Sequence, residues 1–166
     1  MATPKYTALA TLTLSSTASS VTFGSIPAGY RDLYLIVGNM STSAANTIFA
    51  RLNADTGSNY SYVIAGTNGA GGSYSITSAT QTGIFFGGAV VGTNTSGVSQ
   101  SILQLMDYSA TDKHTTGLSR YSNPAGELDM AATRWANTAA VTSVTCVVLP
   151  SGSYNVGTTF SLFGVN

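Results

Sequence analysis

Apolar and polar residues alternate with a period of two along most of the chain, and turn-forming residues break the alternation about every dozen positions. This is the pattern of β-strands. Ala8, Ala10, Leu12 and Leu14 share one parity, and a polar stretch over 15–20 leads to Val21 and Phe23. Ile26-Pro27-Ala28-Gly29 marks a turn, because proline presets the backbone dihedral of a turn's second residue. Beyond it Leu33, Leu35 and Val37 alternate with Tyr34, Ile36 and Gly38. A strand apolar on both parities is expected to be buried on both faces or covered by a neighbour. Over 47–53, Ile48, Ala50 and Leu52 occupy one side and Phe49 and Arg51 the other; 53–59 then reads as a hairpin loop that returns Tyr60, Tyr62 and Ile64.

Four glycines between 66 and 75 predict a long flexible connection. Strand patterns resume over 82–91, where Gly87-Gly88 signals a bulge or a close backbone approach. They continue over 99–108, 114–121, 127–135, 141–149 and 158–165. Clean 3.6-residue periodicity is absent over any ten residues, with 125–135 coming nearest. Eight to ten strands without helical crossovers predict an all-β fold, an antiparallel two-sheet jelly-roll-like sandwich, with an up-and-down barrel as second choice.

Length and composition refine this picture. A chain of 166 residues suits one β-sandwich domain over 1–166, with 1–6 as an extended N-terminal arm. Six Lys and Arg balance six Asp and Glu, and charged residues make up only 7%, against roughly 25% in an ordinary soluble domain. Such a chain lacks the clustered cations that phosphate backbones or anionic lipids require, so neither nucleic acid nor membrane is an expected partner. With 22 Ser, 24 Thr and 18 Gly, its polar surface is largely uncharged. Met1 to Leu14 lacks the cationic and continuous apolar regions of a secretory signal. Cys146, the single cysteine, lies in an apolar run and reads as a buried, inert thiol, which fits a reducing cytoplasm.

Candidate chemistry is sparse. Glu127 and Asp129 share a strand face, as paired carboxylates must, but six acids on so charge-poor a surface read better as solubilising groups. His114 is the single histidine, which excludes multi-imidazole metal sites. A triad of a serine, His114 and Asp107 has no nucleophile elbow behind it, and His114 reads as a loop-edge residue. Asn53, Asp55, Gly57 and Asn59 alternate like calcium ligands, yet Ile64 stands where the twelfth-position glutamate belongs. No cofactor, metal or catalytic residue is therefore expected. The candidate structural or interface residues are Arg31 and Asp32, Arg51 and Asp55 as local ion pairs, Tyr60 and Tyr62, and Trp135 as an anchor closing one end of the core.

Four segments carry a resemblance: Ser25-Ile26-Pro27-Ala28-Gly29-Tyr30-Arg31-Asp32-Leu33-Tyr34-Leu35; Arg51-Leu52-Asn53-Ala54-Asp55 with Asn59-Tyr60; Trp135-Ala136-Asn137-Thr138-Ala139-Ala140-Val141-Thr142-Ser143-Val144-Thr145; and Phe160-Ser161-Leu162-Phe163-Gly164-Val165. Together they resemble small virion structural proteins of tailed bacteriophages, especially cyanophage-type proteins that coat the capsid or sit on the tail. The resemblance implies a jelly-roll subunit, commonly a homotrimer, that decorates or cements a capsid lattice by binding the major capsid protein, with no catalytic residues. The expected location is the virion, capsid surface first and tail second, after assembly in the host cytoplasm. The alternative function is a tail-fibre or tail-associated module that grips carbohydrate receptors through exposed Tyr60, Tyr62 and Trp135.

Overall fold

In the computed structural model, which describes residues 5–43, 46–88 and 98–166, the chain forms twelve strands and, among the described residues, no helix. They are β1 (Tyr6–Thr13), β2 (Ser20–Phe23), β3 (Asp32–Met40), β4 (Thr47–Leu52), β5 (Tyr60–Asn68), β6 (Ser73–Gln81), β7 (Ile84–Gly87), β8 (Ser99–Met106), β9 (Thr115–Ser122), β10 (Glu127–Trp135), β11 (Val144–Leu149) and β12 (Thr159–Val165). One antiparallel sheet runs β1-β12-β3-β8-β9-β10-β5-β6 and the other β2-β11-β4-β7. Without β5, β6, β9 and β10, the remaining eight strands pair as 1-12-3-8 and 2-11-4-7. Successive strands there cross between the sheets, except β4 and β7, which are neighbours in the smaller sheet, as in a jelly roll. The hairpins β5–β6 and β9–β10 extend the larger sheet beyond β8 as a four-stranded wing.

The main core lies between the sheets, where Leu33, Leu35, Val37, Leu103, Leu105 and Phe160 meet Ile48, Ala50, Leu52, Val144 and Cys146. A second cluster forms on the other side of the small sheet. Phe49, Phe85 and Val147 turn away from the main core and are covered by Ile64 and Ala131 of the wing, with Tyr62 and Tyr74 half-buried beside them. All four residues of β7 are consequently buried.

Several expectations are corrected. The hairpin expected over 53–59 does not form: β4 pairs with β11 and β7, whereas β5 pairs with β10 and β6, so this loop crosses between sheets. The connection expected over 66–75 is the tip of a hairpin. Its turn uses Gly69 and Gly71 at φ 75° and 86°, a left-handed region that only glycine enters without strain. Strand β6 went unseen because Ser73 to Gln81 forms a sheet edge, with no buried face to impose apolar alternation. Tyr6, expected in the N-terminal arm, already pairs with Val165 as the first residue of β1; residues 1–4 lie outside the described residues. Of the strand expected over 82–91, β7 takes Ile84–Gly87, and 89–91 lie outside the described residues. At Gly87 the expected bulge occurs, but the close approach comes from side chains and not from another backbone. The β4–β7 register shifts between Ile48 and Phe49, and a Cβ on Gly87 would come within 2.7 Å of the Tyr121 ring.

Candidate functional site

The residues proposed from sequence fall into two places. At one end of the sandwich, Trp135 is 1% exposed and Tyr60 fully buried, their rings stacked with centroids 6.2 Å apart. The indole Nε1 donates to Asp55 Oδ2 at 2.7 Å, Asn59 Nδ2 donates to the same oxygen at 2.9 Å, and the Gly57 amide donates to Oδ1 at 2.8 Å. The Leu52 amide donates to Tyr60 Oη at 3.1 Å, and Tyr60 Oη donates to the Asp55 carbonyl at 3.1 Å. Trp135 therefore anchors the core end, tied to the loop that carries the chain between sheets. Two expectations fail here. Tyr60 and Trp135 offer no aromatic surface to a sugar, and Tyr62 is half-buried against Phe49 and Phe85. No ion pair joins Arg51 to Asp55 among the described residues; Arg51 Nε donates instead to the Thr82 carbonyl at 3.1 Å.

Burial alone would raise the Asp55 pKa, but the hydrogen bonds from Asn59, Trp135 and Gly57 outweigh it and hold the carboxyl below the usual aspartate range. A carboxyl depressed in the fold contributes stability above its unfolded pKa of about 4, and that stability is lost as pH falls through the folded value. The stability gap between the native chain and Asp55→Asn is therefore expected to be open at neutral pH and to close below about pH 4, as read by thermal melts across pH.

The charged corner lies where β3 begins and β8 ends. Asp32 is buried, accepting from Gln104 Nε2 and the Asp107 amide, each at 3.0 Å. Arg31 Nε approaches Asp32 at 3.9 Å and Asp107 at 3.8 Å, while Lys113 Nζ lies 2.7 Å from Asp107. His114 is exposed beside this corner.

Glu127 and Asp129 do share a face, but it is the inner face of β10, where both are buried, contrary to their reading as solubilising acids. Tyr74 Oη donates to Asp129 Oδ1. Asn123 Nδ2 donates to Glu127 Oε2 at 2.7 Å, and the Glu127 amide donates to Asn123 Oδ1 at 3.0 Å. Burial and the adjacent Asp129 carboxylate push the Tyr74 pKa up, which keeps this phenol a neutral donor. Asp129 sits opposite Tyr121, whereas His114 precedes β9 at its far end, roughly 24 Å away at about 3.4 Å per strand residue. Among the described residues no cleft unites the two acids with the histidine. Cys146 is fully buried, and that burial pushes its thiol well above the ordinary range. Thiol reagents are expected to leave the native chain unlabelled and to titrate one group after denaturation.

The outer face of the larger sheet was not singled out from sequence. Register places Tyr34, Gln104, Leu118, Ala132 and Val63 in one row across five strands, and Ile36, Ile102, Arg120, Met130 and Ala65 in the next. Val63, Leu118 and Met130 are 53%, 50% and 58% exposed. The β3 strand, apolar on both parities, thus has one covered face and one open one. The twisted face forms a concavity of about 650 Å³ lined by Tyr34, Val63, Ile102, Leu118, Arg120 and Met130. Contiguous apolar patches of this kind mark interaction surfaces. The clue in the sequence was the same double apolarity. A scan against protein-family models and a search of curated proteins each return no match to this chain.

Proposed function

We propose that the chain is a non-enzymatic structural subunit of a phage virion, a homotrimer that decorates and stabilises the capsid by binding the major capsid protein. The observation that carries this reading is the open apolar face of the larger sheet, on a chain with only 7% charged residues. A sheet that buries one face and leaves the other apolar is built to be covered by another protein. The uncharged hydroxyl surface supports the same reading, since it costs less to desolvate in a lattice than a charged one. The jelly-roll connectivity is the one the resemblance implies. Contacts to the shell also fall to the β5–β6 tip, which projects exposed residues from Asn68 to Gly71 and suits docking as exposed loop tips do.

Reconstruction of the intact particle tests the proposal, with density for this chain expected on the outer surface of the head. Density confined to the head interior or the tail would overturn it. A tail location would favour a receptor-binding module, whose sugar-gripping residues would then have to differ from Tyr60 and Trp135, both buried.

A further inference from the structure

The concavity on the outer face of the larger sheet holds a guanidinium in an apolar setting. Arg120 stands on β9 between Ile102 and Met130 in register, with Leu118 two residues away on the same face. Among the described residues it makes no ion pair and no side-chain hydrogen bond. Arginine set among apolar side chains is the composition of an interface centre, where its planar fork matches a carboxylate.

Charge decides which partner fits. A second copy of this chain would have to supply the carboxylate, and its acids are mostly committed. Asp32 is held by Gln104 and the Asp107 amide, Asp55 by Trp135, Asn59 and Gly57, and Asp107 by Lys113. Asp129 is held by Tyr74, and Glu127 by Asn123. That leaves Asp112, exposed in the β8–β9 loop outside the concavity. We infer that this concavity docks an apolar segment of the shell protein that carries a carboxylate, which pairs with Arg120 while its apolar neighbours cover Leu118, Met130 and Val63. The inference rests on the capsid-decoration reading and names the surface and partner chemistry it uses.

The test is binding of the purified chain to heads of its own phage from which the chain has been stripped. Arg120→Glu and Met130→Asp are each expected to weaken binding on the order of 100-fold, with Arg120→Lys in between. Because Arg120 and Met130 are exposed, all three variants are expected to melt within a few degrees of the native chain. Raising salt is expected to weaken native binding and, by screening the repulsion between two carboxylates, to strengthen the residual Arg120→Glu binding. Native-strength binding by both Arg120→Glu and Met130→Asp overturns the inference while leaving the decoration reading in place. A fall in oligomer mass in either variant also overturns it, because the face would then join copies. A native chain that ignores the heads removes the decoration reading, and the inference with it.

Discussion

Trp135→Ala is expected to destabilise the fold by about 4 kcal/mol, within the range for emptying a large aromatic site. The indole is almost completely buried and stacked on Tyr60, and its Nε1–H is one of three donors that hold the Asp55 carboxylate. Truncation opens a cavity and loosens the loop that leads from β4 in one sheet to β5 in the other. For a chain of this length, such a loss lowers the melting temperature by roughly 10 °C. Trp135→Phe is expected to cost less, about 1 to 3 kcal/mol, because it keeps a six-membered aromatic ring in the site while removing the Nε1–H donor and the rest of the indole. A Trp135→Ala variant that melts like the native chain but loses a bound glycan would show that this corner opens to solvent and serves as a sugar site.

The second large effect is expected at Gly66, inside β5. A Cβ there would overlap Asp129 Oδ1, come within 2.7 Å of the Leu128 carbonyl oxygen and touch the Tyr74 ring at 3.0 Å. The carbonyl belongs to β10, the neighbouring strand in which Asp129 opposes Gly66, so relief requires the wing to shift and disturbs the Tyr74–Asp129 hydrogen bond. Gly66→Ala is therefore expected to cost about 3 kcal/mol, at the upper end of ordinary overpacking. Gly38→Ala in β3 is the control, since a Cβ there meets nothing within 4 Å. It is expected to be neutral or stabilising by up to about 1 kcal/mol, through loss of freedom in the unfolded chain. Equal denaturation midpoints for the two variants would refute this account of Gly66.

The strand pattern was legible because it is local. Leu33, Leu35 and Val37 announce β3 in any context, and their partners Tyr34 and Ile36 announce that its second face also needs cover. The inward parity of β10 was not legible. Taken alone, the segment Glu127-Leu128-Asp129-Met130 would turn Leu128 and Met130 inward. Trp135, with Ala131 and Thr133, has the same parity as Glu127 and Asp129, and burying the indole brings both acids into the interior. With a side-chain period of two, one strand cannot present both sets to the same face. Tyr74 and Asn123, brought from β6 and from the β9–β10 turn, make that burial tolerable.

Arg51 and Asp55 show the same limit on a smaller scale. Four residues apart in sequence, they looked like an ion pair, but the loop between them carries the chain from one sheet to the other. Asp55 then meets Trp135, eighty positions away, at 2.7 Å. By itself the sequence determined that this chain is all-β, charge-poor and rich in hydroxyls, because alternation and composition belong to each segment alone. Only the tertiary structure decided which sheet each strand joins, which parity faces inward, and that Arg120 stands in an open apolar concavity. Those outcomes depend on pairing between distant segments, and one buried side chain is enough to set the orientation of a whole strand.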